Sequence, residues 1–112
     1  MSNFDEVFDE FVDMFLSGAK ELAKQVFDGF EDNAKADARA FVDKTEADLK
    51  RWAKLLADGE LSKDEFENLV RAKKALAEIH ELTQAGVALT KIERFRSGLV
   101  DLAIDSAFKV FL

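Results

Sequence analysis

The chain holds a single histidine, His80, and no cysteine. A metal centre built on a helix needs further ligands three or four positions away. At those distances from His80 stand Leu76, Ala77, Thr83 and Gln84. The Glu-x-x-His pair of di-iron bundles is therefore missing, and His80 reads as a structural or surface residue. Without cysteine there are no disulfides, no thiol nucleophile and no thiolate metal site. Carboxylates are plentiful, and the pairs Asp5 with Asp9 and Glu6 with Glu10 have the spacing of metal ligands or of a general acid and base. Such work requires surroundings that push two proton affinities apart, usually by burial. These acids fall on the polar side of their segment, so a solvated helix face, favoured by the positive end of the helix dipole, accounts for them. No serine stands in a nucleophile elbow, and neither a glycine-rich phosphate cradle nor a dinucleotide fingerprint is present. The expectation is a protein that is not an enzyme, with no cofactor and no metal.

Two stretches resemble known hairpins. Asp58-Gly59-Glu60-Leu61-Ser62-Lys63-Asp64-Glu65-Phe66 is similar to the second half of an EF-hand loop, with Gly59 at the turn and Glu65 at the bidentate position. The first ligand positions would then be Lys54 and Leu56, which cannot bind calcium. Residues 49–76, about a quarter of the chain, resemble the short helix–glycine–helix hairpin of the SHOCT type through Leu49, Leu55, Gly59, Leu61 and the Glu65-Phe66 pair. That resemblance implies an interaction hairpin, and a simple helical turn explains the same residues.

The elements that carry these residues are helices. In FDEVFDEFVDMFL, residues 4–16, Phe4, Phe8, Phe11 and Phe15 recur at spacings of three and four. At about 100° per residue they line one stripe, flanked by Val7, Val12 and Met14, with Asp5, Glu6, Asp9, Glu10 and Asp13 opposite. The second stripe is Ala34, Ala38, Phe41, Thr45, Leu49, Trp52 and Leu56; the third is Phe66, Leu69, Val70, Leu76, Ile79 and Leu82. Gly59 can close a helix in the left-handed conformation, and Ser62 with Glu65 has capping-box spacing. Gly86 followed by Thr90 and Glu93 repeats the pattern, while Gly29 with Asp32 or Asn33 is a softer boundary. These signals predict helices at about 3–28, 33–57, 62–84 and 90–111.

Connections this short predict an all-α, antiparallel up-down four-helix bundle comprising residues 1–112 as a single domain. The alternative is a long, bent two-helix hairpin around Gly59 that dimerises to complete four layers. In a hairpin Gly18 would lie level with Gly98, suiting close helix approach or matched bends. The pattern F-x-S-G-x-x-x-L-A begins at both Phe15 and Phe95.

The absence of proline leaves long helices uninterrupted. Eleven of the twelve aromatic residues are phenylalanine and none is tyrosine, so the rings serve to bury carbon. The net charge of −7 is concentrated in residues 1–48, the remainder being close to neutral. That balance opposes binding to nucleic acid and electrostatic docking on anionic lipid. No window approaches the ~20 apolar residues of a membrane span, and an acidic N-terminus is unlike a signal peptide, which predicts a cytoplasmic protein.

One signal points outward. The apolar residues of the last helix, including Val100, Ile104, Phe108 and Phe111, spread past half its circumference, whereas a bundle helix needs about a third. In either layout residues 4–15 lie near residues 102–112, gathering six phenylalanines at one end. Exposed apolar patches of that kind mark interfaces. The sequence therefore predicts association, with a second copy or a larger protein, through Phe4, Phe8, Phe11, Phe15, Ile104, Phe108, Phe111 and Leu112. The alternatives are binding to a lipid or other hydrophobic surface and, with less support, an acidic decoy of nucleic acid.

Overall fold

The structure, a computed structural model, describes residues 3–112. In chain order the elements are α1 (Asn3–Phe27), α2 (Glu31–Ala57), α3 (Lys63–Arg71), a 3-10 turn (Lys74–Leu76), α4 (His80–Gln84) and α5 (Leu89–Phe111). The chain reverses after α1, after α2 and between α4 and α5, giving an antiparallel four-arm bundle of 42 × 25 × 21 Å. The third arm is α3, the 3-10 turn and α4 in succession. The layers are completed inside one copy, so the fold is the up-down bundle and not the bent hairpin that needs a second chain.

The α2–α3 boundary follows its local signals. Gly59 takes φ +80°, and Ser62 closes a capping box: its backbone N–H donates to the Glu65 carboxylate at 2.9 Å, and its hydroxyl accepts from the Glu65 N–H at 3.1 Å. Ser62→Ala is expected to lower stability by about 1 kcal/mol, measured as a urea midpoint shift. The other two boundaries differ from the sequence reading. α2 begins at Glu31, capped by the Phe30 backbone at φ 63°, with no side-chain cap from Asp32 or Asn33. α5 begins at Leu89, one residue before Thr90, so Thr90 cannot cap it; the Glu93 side chain pairs with Arg96 instead.

The unbroken third helix expected over 62–84 does not form, and the stripe explains why. Continued at 100° per residue, Ile79 and Leu82 would stand about 140° and about 160° round the axis from Phe66, facing solvent. Breaking the helix after Arg71 resets the phase and buries Ile79 and Leu82 together with Phe66 and Val70. The new start of α4 lacks a side-chain cap of its own. Asp37 of α2 supplies it from across the bundle: its two carboxylate oxygens accept from the backbone N–H groups of Glu81 and Leu82 at 2.9 and 3.0 Å. The Ala77 carbonyl, freed by the break, accepts from Arg96 Nε at 2.8 Å. The break thus leaves these orphaned backbone groups partnered, as burial requires.

The repeated F-x-S-G-x-x-x-L-A segments meet at the crossing of α1 and α5. A Cβ on Gly18 would stand 2.7 Å from a Leu102 methyl, and one on Gly98 would stand 2.7 Å from a Leu22 methyl. Each glycine is the notch for the leucine of the other copy of the motif, so the matched glycines mark close approach rather than bends. Gly18→Val is expected to destabilise by about 1–3 kcal/mol through overpacking, read in the same urea titration. α5 touches every other arm of the bundle, and its wide apolar arc is largely consumed there: Val100, Ala103, Ile104 and Ala107 are buried.

Candidate functional site

The helix spacing of α1 and the antiparallel return of α5 bring the predicted aromatic residues together. Phe111 is the hub, with ring centroids 5.6 Å from Phe4, 6.4 Å from Phe8 and 5.7 Å from Phe11. The row continues inward from Phe11 to Phe15 at 6.2 Å and on to Phe41 at 6.2 Å. Phe108 turns away from this row and packs on Phe66 at 6.0 Å.

Burial divides the eight predicted residues into two groups. Phe8, Phe11, Phe15 and Ile104 are 0–3 % exposed and belong to the core. Phe4, Phe108 and Phe111 are half-buried, and Leu112 is 61 % exposed. The bundle therefore encloses the inner half of the cluster and leaves the outer half as an apolar rim at one end. At the opposite end Phe30, 44 % exposed, stands on the turn before α2, and Leu89, 76 % exposed, opens α5.

Lysines surround the aromatic end of an otherwise acidic protein. Lys50 Nζ lies 5.4 Å from the Phe8 ring centre, Lys54 Nζ 5.8 Å from that of Phe4, and Lys63 Nζ 5.4 Å from that of Phe108. Their aliphatic stems cover ring surface while the charges stay in water. Between α1 and the C-terminal part of α2 a groove of about 400 Å³ opens beside Phe4 and Leu55.

A second furrow, also about 400 Å³, lies over the α1/α5 crossing. Its lining comes from the two F-x-S-G-x-x-x-L-A segments and the turn after each, with Gly18, Glu21, Leu22 and Gln25 facing Gly98, Asp101, Leu102 and Asp105. Asp101 is engaged by Arg71 at 2.9 Å. The furrow is open and acidic, and no further feature distinguishes it as a site.

Three carboxylates, Asp48 half-buried and Glu65 and Glu78 exposed, are held below their ordinary proton affinity by structural partners. The Lys73 ammonium beside Asp48 lowers that group first, the Ser62 backbone N–H lowers Glu65, and Lys44 lowers Glu78. A carboxylate depressed in the folded state stabilises fully above its unfolded pKa, and the contribution is lost as pH falls through the folded value. Stability is therefore expected to decline on acidification through and below the ordinary carboxylate range. Glu65→Gln, which can still accept from the Ser62 N–H but does not ionise, should remove the Glu65 part of that decline in urea titrations at a series of pH values. None of the three lies in a cleft with a nucleophile.

His80 is exposed and contacts Gln84 Nε2 through its own Nε2 at 3.0 Å. Among the described residues no group of three or more His, Cys, Asp or Glu side chains is placed to hold a metal ion. Nor is any described helix long and apolar enough to cross a membrane.

The residue that the sequence reading passed over is Asp37, 2 % exposed. Its signal is visible in retrospect: it lies between Ala34 and Ala38 on the buried stripe of α2, where an acid is out of place unless something donates to it. Its two donors are the backbone amides of α4, which makes it a structural residue.

The chain matches no protein family, and no curated protein or solved structure is significantly similar to it. The SHOCT-like likeness of residues 49–76 accordingly has no family match behind it. The geometry itself defines the class: an all-helical bundle with an aromatic cluster joining its first and last helices.

Proposed function

We propose that this protein is a non-enzymatic helical association module that docks, with a second copy or with a larger protein, through the end carrying Phe4, Phe108, Phe111 and Leu112. One observation carries the reading. After the bundle has closed, these four residues still present apolar surface side by side with buried rings that hold them in place. At about 25 cal/mol per Å² of apolar area removed from water, covering Leu112 and the remaining edges of the three half-buried rings contributes to a docking energy. The inner residues Phe8, Phe11, Phe15 and Ile104 support the patch and do not touch the partner.

Sedimentation over a wide concentration range, together with capture from a cell lysate, tests this. The expected result is a mass that rises with concentration or a captured protein. Leu112→Asp, at a residue 61 % exposed, should weaken either one while leaving the helical melting curve close to that of the parent. A strictly monomeric chain that captures nothing overturns the proposal.

A lipid or other hydrophobic surface is the second reading, favoured by Lys54 and Lys63 beside the half-buried rings of Phe4 and Phe108 and opposed by the acidic face of α1. Co-flotation with neutral or anionic vesicles would support it, and absence from both floating fractions would remove it.

A further inference from the structure

We propose that the groove between α1 and α2 lined by Lys20, Lys35 and Arg39 binds the phosphate group of a small, soluble phosphate monoester. The inference is independent of association at the aromatic end, because the groove shares no residue with that surface.

Helical spacing builds the groove. Asp13, Ser17 and Lys20 follow one another at four and three residues along one face of α1, and Lys35 and Arg39 stand one turn apart on the antiparallel α2. Leu16, buried beneath them, is the one apolar residue of the lining. The volume, about 260 Å³, falls below the range of about 300–1,000 Å³ for drug-sized ligands. The occupant is therefore small, and the polar lining does not suit a hydrocarbon.

The three cations are unanswered within the chain. The other bases of α2, Lys44, Lys50, Arg51 and Lys54, each reach an acid at 2.9–3.7 Å. Lys35 and Arg39 do not, although Glu31 and Asp43 stand one turn away from them on the same helix. Among the described residues, Lys20, Lys35 and Arg39 form no ion pair and no side-chain hydrogen bond; all three border the groove instead. Like charges one turn apart on a helix repel, and an anion held between Lys35, Arg39 and the facing Lys20 removes that repulsion.

The donor set selects a phosphate. Arg39 offers a planar fork that can hold two phosphate oxygens at once, and the two ammonium groups act as point charges. The exposed Ser17 hydroxyl, bonded to no other residue among those described, adds a neutral donor. Asp13 is the only acid in the lining. Three cations against that one carboxylate leave an excess of two positive charges, which matches a phosphate monoester, at about −1.5 to −2 near pH 7. A single ligand carboxylate would leave half of the excess unanswered. Asp9 and Glu10, one turn before Asp13 on α1, carry negative charge past the end of the groove and oppose a polyanion such as nucleic acid.

The test is a titration of the full chain with glycerol 3-phosphate, and separately with acetate, at constant ionic strength, followed by two-dimensional amide NMR. Saturable shifts centred on Ser17, Lys20, Lys35 and Arg39 are expected with glycerol 3-phosphate, and clearly weaker binding with acetate. Lys35→Gln with Arg39→Gln should weaken glycerol 3-phosphate binding by about tenfold or more, the loss expected from removing two charged donors. The melting temperature should not change, since neither side chain has a partner to lose. Lys91→Gln with Lys109→Gln removes the same charge from α5 and should leave the affinity nearly unchanged. Vesicles of phosphatidic acid carry the same group on a lipid, and they should fail to displace glycerol 3-phosphate. Displacement by the vesicles, equal weakening by the two double variants, equal affinity for the two anions, shifts centred elsewhere, or no saturable shift would overturn the proposal.

Discussion

Phe11→Ala is expected to cost about 3–5 kcal/mol of folding stability, the range for truncating a buried phenylalanine. Phe11 is 1 % exposed and joins the two halves of the aromatic cluster: its ring lies 5.4 Å from Phe8 and 6.2 Å from Phe15 along α1, and 5.7 Å from Phe111 across the bundle. Removing it leaves a cavity where the first and last helices meet, and neighbouring rings can collapse into that space only in part. Small domains have about 5–15 kcal/mol in total, so the variant should lose a large share of its margin. Phe111→Ala touches as many rings but is half-buried already, and about 1–2 kcal/mol is expected from the smaller area it covers. Urea denaturation of the two variants checks the order. Equal losses, or a loss at Phe11 below 1 kcal/mol on that scale, would show that the row is not the core this structure describes.

Asp37→Ala should cost about 3 kcal/mol, because it strips the partner from two backbone N–H groups in the interior and near it, each unmet donor costing about 1–3 kcal/mol. The consequence is local as well as global. α4 has no cap of its own, so the segment from Ala72 to Ala88 should open first. Hydrogen exchange at Glu81 and Leu82, the two amides that Asp37 receives at 2.9 and 3.0 Å, should accelerate well beyond the change at Leu49 or Leu99. Asp37→Asn is expected to be nearly as damaging, since its amide can offer one acceptor while pointing an N–H at the other donor. Uniform acceleration across the whole chain would mean that Asp37 acts on general stability and not as the cap of α4.

Much of the architecture was legible before any coordinates because it rests on interactions spanning three or four residues. The spacing of Phe4, Phe8, Phe11 and Phe15 dictates an amphipathic first helix, and Ser62 with Glu65 marks the start of α3. The meeting of residues 4–15 with the last turns of α5 follows from the antiparallel order alone. The starts of α2 and α5 were misplaced because Asp32 and Thr90 have the composition of caps while the chain supplies none there; Phe30 and Ala88 take those positions through backbone conformation.

The candidate site was legible in membership and not in exposure. Helical spacing shows that the apolar arc of α5 is wide, but not how many neighbours surround that helix. With every other arm packed against it, Val100 and Ile104 go inside, and the outward surplus shrinks to Phe108, Phe111, Leu112 and the adjoining Phe4.

From its own residues the chain determines an all-helical bundle, the faces its helices bury and the lack of thiol chemistry, because side-chain period and residue type act locally. Only the tertiary structure decided that the third arm breaks, since the carboxylate that permits the break is far away in sequence and reaches α4 through space. Tertiary packing likewise decided which phenylalanines remain at the surface, because burial depends on what stands opposite each ring, and no local pattern encodes that.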